Sequence, residues 1–311
     1  MIQSIFILVC SLIAVMKGAS LSTTYAIRLA EGFRLSKYTV GFIVIAIISI
    51  LPEAFISINA ALTDVPSFAL GVLFGSNVAD LTLVFALVTF LSRRPLKIES
   101  KIVTHHTLYP FILILPLILG FDGSFTRLEG VTLIFVGLVF YYLSFKNGTN
   151  TQATNVRTTS QKKDLLMLIL GMLVLLVGAH FTVTSATSLA KLIGISPVLI
   201  GLLIVGLGTT IPELFFSLRS VRRHDDSLAI GDVLGTVLAD ATIVIGILAL
   251  ISPFAFSKTI IYVAGIFMVS SAFILFSFMR SGRILTRREA FALFIFWLAF
   301  VLVELTVGTG F

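Results

Sequence analysis

The chain of 311 residues contains one cysteine, Cys10. That excludes an internal disulfide and a metal cage built from cysteines. Charge is also scarce: Asp, Glu, Lys and Arg make up 12% of the residues, against roughly a quarter in soluble domains. No His-Glu-x-x-His run occurs, so the common zinc-protease helix is excluded. The opening segment, Ile2 to Met16, has no basic leader and no small-residue cleavage site. It is expected to remain as part of a helix and not to act as a cleaved signal. What fills the chain instead is apolar: 58% hydrophobic residues and a mean hydropathy of +1.10. The composition describes an integral membrane protein with the lipid bilayer as its main partner. A net charge of +7 could suggest nucleic acid. The basic residues fall between apolar runs, so they set membrane orientation and imply no nucleic-acid partner.

Runs of about 20 apolar residues suit membrane helices. Ten are expected, at about 2–30, 37–62, 67–92, 103–120, 127–145, 164–190, 195–221, 226–252, 258–280 and 286–308. Between the fifth and sixth lies a polar stretch, 146–163, read as a flexible cytoplasmic linker between a first half, 1–145, and a second, 164–311. It holds a glycosylation-type triplet, Asn147-Gly148-Thr149, of a kind common by chance. Eighteen of the 22 Lys and Arg residues fall on one side of the alternating loops and three on the other. The rich side is expected to be cytoplasmic, which puts a cell-membrane protein's two termini outside.

Sequence features recur at a constant spacing of 160 residues. Pro52-Glu53 returns as Pro212-Glu213, and Gly71, Gly75, Ala79 and Asp80 return as Gly231, Gly235, Ala239 and Asp240. Gly18-Ala19, Leu29-Ala30, Ser36 and Gly41 likewise match Gly178-Ala179, Leu189-Ala190, Ser196 and Gly201. Each half then has five helices. Five is odd, so the second half enters from the opposite face. The expected fold is all-α, with ten transmembrane helices as two inverted repeats, and substrate sites in such folds lie near the midplane.

The second acidic motif reads Gly206-Leu207-Gly208-Thr209-Thr210-Ile211-Pro212-Glu213. Proline removes a backbone donor in mid-span, and glycine tolerates the irregular backbone that results. Freed carbonyls and hydroxyls become available as ligands beside a carboxylate. The first motif, Ala46 to Glu53, keeps Ser49, Pro52 and Glu53 but has Ile48 and Ile50 where the second has Gly208 and Thr210. On the partner helices Ser76 and Asp80, and Thr236 and Asp240, stand four apart on one face. A plain proline kink and close glycine packing are the bland alternatives, yet neither accounts for carboxylates in apolar sequence. Glu53, Asp80, Glu213 and Asp240 with these hydroxyls form a set of hard oxygen ligands. No His or Cys joins them, which disfavours zinc and copper and suits calcium or sodium. Four ionised carboxylates around nothing would repel, so some must be protonated or ion-paired unless a cation is present. This is a physical basis for exchange, with inorganic cations as cargo and no cofactor.

With Gly208-Thr209-Thr210-Ile211-Pro212-Glu213 and Gly75-Ser76-Asn77 in view, the chain resembles the cation/calcium exchanger superfamily, most closely prokaryotic sodium/calcium exchangers. The resemblance spans nearly the whole chain. It implies a non-enzymatic antiporter that moves calcium against sodium by alternating access, the first and sixth helices sliding over an ion-holding core. It implies that Glu53 and Glu213 bind calcium directly, with oxygens from Ser49 and Thr209. Thr210, Ser76, Asp80, Thr236 and Asp240 would complete the cation sites. The chain departs from the pattern at Ile48 and Ile50, which replace glycine and serine. Val72 and Asp232 replace asparagines, and Asp80 stands where asparagine is frequent. These departures keep calcium/proton and potassium-dependent exchange open, and acidic rings suit passive channels too. An intramembrane aspartyl protease lacks its glycine pattern around Asp240.

Other polar residues have two readings each. Lys17 and His180 either snorkel or hydrogen-bond locally, or pair with a core carboxylate. His105-His106 are expected at an interface, Asp225-Asp226 in a loop, and Glu304 at a solvated helix end. Asp232 is expected near the cytoplasmic mouth, attracting cations or simply hydrated.

Overall fold

The computed structural model describes residues 2–30, 42, 45–92, 94–98, 108–147 and 161–308. Among these, helical backbone falls into ten stretches. They are α1 (Ile2–Ala30), α2 (Ala46–Ser49, resumed as Leu51–Leu62), α3 (Pro66–Leu91), α4 (Tyr109–Asp122) and α5 (Arg127–Asn147). The second half supplies α6 (Gln161–Ile193), α7 (Pro197–Arg222), α8 (Asp226–Ile251), α9 (Lys258–Arg280) and α10 (Arg287–Gly308). Eight of the ten are long and apolar enough to cross a membrane; the described part of α2 and all of α4 are shorter. The expected sites Ser36, Gly41, His105 and His106, and linker residues 148–160, lie outside the described residues.

The 160-residue echo is physical. Helices α3 and α8 begin and end 160 residues apart, and each contains a π-helical turn, Asp80–Val84 in one and Asp240–Val244 in the other. Helices α5 and α10 open on the same capping box. Glu129 Oε2 accepts from the Thr126 backbone N–H at 2.7 Å, and Glu289 Oε2 accepts from that of Thr286 at 2.8 Å. Two short antiparallel ladders join the halves crosswise: β1 (Leu96–Lys97) pairs with β4 (Ile284–Leu285), and β2 (Ser124–Phe125) pairs with β3 (Phe254–Ala255).

The end of α3 meets the start of α8, so these two helices run antiparallel. Arg94 Nη1 donates to Asp226 Oδ2 at 2.7 Å, and the Lys97 N–H donates to the same oxygen at 2.8 Å. The Asp226 carboxylate pushes the Arg94 guanidinium still further above its ordinary pKa. Asp226 is thus the first residue of α8 and buried, in place of the expected loop residue. An acid there suits the positive end of a helix.

Helices α3 and α8 are buried along most of their length and form the centre. Glycine lets their backbones touch the flanking helices. A Cβ on Gly71 would come within 2.6 Å of the Val198 carbonyl, and one on Gly75 would overlap that of Leu202, both on α7. In the other half, a Cβ on Gly235 would overlap the carbonyl of Phe42. Leu202 and Phe42 are themselves 160 apart, so each central helix uses the same glycine to press on the other half, at α7 or at Phe42, four residues ahead of α2. Outside this core α1 packs along α6. Thr182 Oγ1 donates to Ser11 Oγ at 3.0 Å, and a Cβ on Gly178 would reach within 3.0 Å of the Val15 nitrogen.

Candidate functional site

Pro52 and Pro212 have no N–H to offer the carbonyl four residues earlier. Helix α2 accordingly breaks at Ile50 and restarts with Pro52 in its first turn, while α7 carries Pro212 inside a continuous helix. Glu53 and Glu213 follow directly, and both side chains are buried. The π-turns of α3 and α8 start at Asp80 and Asp240, and a π-turn is a frequent device at functional sites. Both aspartates are buried as well.

The described structure brings the expected residues together across the two halves. The Asp80 and Glu213 carboxyl groups, one from each half, are neighbours in this buried cluster. Thr209 lies beside Glu53, and Thr210 beside Asp80. Ser49 Oγ donates to Asp232 Oδ1 at 2.8 Å. The remaining hydroxyl hydrogens mostly go to carbonyls. Thr209 and Thr210 donate to the Gly206 oxygen at 3.0 and 2.9 Å, and Ser76 donates to that of Leu73 at 3.2 Å. A hydroxyl that has given away its hydrogen keeps its lone pairs for a cation. Thr236 Oγ1 is buried without a partner.

Carboxylate oxygens in the cluster lack partners. Both oxygens of Asp80, Glu213 and Asp240, one of Glu53 and one of Asp232 are buried without a hydrogen bond. Among the described residues the one ion pair is Arg94 with Asp226, away from this cluster. A buried charge is costly unless paired, so these carboxyls are either protonated or matched by positive charge. Among the described residues no three His, Cys, Asp or Glu side chains converge tightly enough to hold a resident metal ion.

Two buried hydroxyls were missed in the sequence, and Asp232 was expected nearer solvent. Asp232 is fully buried on α8, neither at a mouth nor hydrated, because Ser49 and the packing of α2 enclose it. Ser57 and Ser217 lie one helical turn beyond Glu53 and Glu213, buried and with unpartnered hydroxyls. Their own 160-residue spacing was the signal that could have found them. Asn77 is buried and donates to the Met268 sulfur at 3.5 Å, leaving its carbonyl oxygen unpartnered. Lys17 and His180 are exposed on α1 and α6, His180 lying edge-on to Phe181, so neither enters the cluster. Glu304, expected at a solvated end, is buried.

Comparison with known proteins shows the family and the fold. The profile of the family described as "Sodium/calcium exchanger protein" matches residues 3–146 and again residues 163–306. An uncharacterized membrane protein of Methanocaldococcus jannaschii, MJ0091, is 30% identical over 215 residues, covering 68% of this chain and 70% of its own. The sodium/calcium exchanger MaX1 of Methanosarcina acetivorans is 24% identical over 345 residues, covering 96% and 97%. A solved structure of the sodium-calcium exchanger NCX_Mj, soaked with sodium and strontium ions, superposes with a TM-score of 0.70 at 25% identity over 97% of each chain.

Proposed function

The chain belongs to the sodium/calcium exchanger protein family, and from that premise we propose that it exchanges calcium for sodium across a membrane by alternating access. Ten crossings in two inverted sets of five, cytoplasmic basic loops and outward termini complete this reading. One observation carries it: carboxylates from both halves are buried at one seam, with unpartnered oxygens and no basic partner among the described residues. Glu53 and Glu213 balance the charge of a dication, and Ser49, Thr209 and backbone carbonyls supply neutral oxygens. Thr210, Ser76, Asp80, Thr236 and Asp240 hold sodium in overlapping positions. Because the ligands come from opposite halves, a shift of one half against the other opens one face of the site at a time. No bond is made or broken, so the protein acts as a transporter and not as an enzyme.

A second reading, calcium/proton exchange, draws support from Asp80 and Glu213, neighbouring buried carboxyls of the kind whose titrations couple. Equilibrium binding of radioactive calcium to the purified protein tests the assignment of the site. Glu53→Gln and Glu213→Gln are each expected to lower affinity by more than about tenfold, since losing even an outer partner of a metal ligand costs about that much. Unchanged binding in both folded variants would remove these glutamates from the site.

A further inference from the structure

We propose that Glu304 forms a second, peripheral cation site that takes a single sodium ion at the mouth between α3 and α7. Nothing in the exchange reading requires it. Glu304 stands near the end of α10, 7% exposed, and its Oε1 has no hydrogen-bond partner. It lines a cavity of about 530 Å³ together with Ser67, Ser196, Ser257, Thr259 and Leu202. The four hydroxyls are hard neutral oxygens of the kind that complete the shell of an alkali or alkaline-earth cation. Ser257 donates to Thr259 at 3.1 Å, and Ser196 Oγ accepts from the Val198 N–H at 3.2 Å, so their oxygens keep lone pairs for a further partner.

The basic residue at this rim does not supply the missing charge. Lys258 opens α9, but its side chain runs over Gly123, with Cγ 3.0 Å from where a Cβ there would stand. Helices α3, α7 and α9 all begin at the cavity, at Pro66, Pro197 and Lys258. Their positive ends favour the ionised form of Glu304, but each contributes far less than a direct partner does to a buried charge. The lining sets the valence: among the described residues Glu304 is its one acidic residue, so a single positive charge neutralises it and no second carboxylate is present to balance a dication.

One wall of the cavity packs on the helix that carries Asp80. Leu202 is part of its wall, and the Leu202 backbone rests on Gly75, the residue before Ser76 and one turn and a half before Asp80. The acid belongs to one end of the molecule only. The position matching Glu304 in the first half is Ser144, which is buried and uncharged. At that opposite end Arg94 and Asp226 are paired with each other.

Infrared difference spectra of the purified full-length protein, perfused alternately with sodium chloride and choline chloride, test the site. A sodium-dependent carboxylate band is expected that disappears in Glu304→Gln and persists in the Glu53→Gln/Glu213→Gln double variant. Calcium chloride should not reproduce it. Identical sodium difference spectra in the wild type and Glu304→Gln overturn the proposal. A band that calcium also produces overturns the choice of a monovalent ion. If Glu304→Gln does not fold, Ser257→Ala/Thr259→Val replaces it, with an expected rise of about fivefold in the sodium midpoint, one modest interaction's worth. An unmoved midpoint there overturns the proposal. The band does not depend on transport, so absent exchange in vesicles would count against the proposed function and leave this site standing.

Discussion

Asp232 shows what a single residue adds at this site. Its first-half counterpart is Val72, which cannot accept a hydrogen bond. Only in the second half, therefore, does a carboxylate take the hydrogen of a matched hydroxyl, Ser49, at 2.8 Å. That bond turns the lone pairs of Ser49 away from Asp232 and frees them for a cation. Asp232→Val should raise the calcium half-saturation by about tenfold, the usual cost of losing a partner that orients a ligand. Asp232→Asn keeps an acceptor for Ser49 and should lie between that variant and the wild type. Calcium-uptake kinetics separate the two, and equal values for Val and Asn would show that the hydrogen bond is irrelevant. Glu53 and Glu213 were legible in the sequence because each follows a proline in apolar surroundings. Asp232 and Glu304 were not, because their burial is decided by helices distant in the chain.

At the scale of elements, the glycines of α3 and α8 set the distance between halves. A Cβ on Gly75 would collide with the Leu202 carbonyl, and one on Gly235 with that of Phe42. Gly75→Val should therefore push α3 from α7 and separate Asp80 from Glu213. Overpacking of this kind costs about 1–3 kcal/mol. A lowered Tm together with weakened calcium binding is expected, and a wild-type Tm would contradict the seam. The period of the glycines was visible in the sequence, and so were the helix boundaries of α3 and α8. The π-turns at Asp80 and Asp240 were not, because one extra residue per turn leaves no mark on an apolar run. The same limit applied to Asp226. Its loop-like neighbours, Arg222 to Asp225, concealed that it is buried and pairs with Arg94.

At the scale of the whole molecule, two copies of one plan face each other and differ at the points that matter for ions. Matching π-turns, capping boxes and crosswise ladders give the halves one architecture. Ile48, Ile50 and Val72 make the first half the less polar of the two, while Asp232 and Glu304 add acid to the second. On the proposed function, calcium leaves this site only when another cation or protons take its place, because the ionised carboxylates repel one another. Radioactive-calcium uptake into proteoliposomes with sodium, potassium, a proton gradient or choline on the opposite side tests that claim most directly. Uptake is expected with trans sodium and not with trans choline. Equal uptake under all four conditions would mean a passive pathway and contradict exchange.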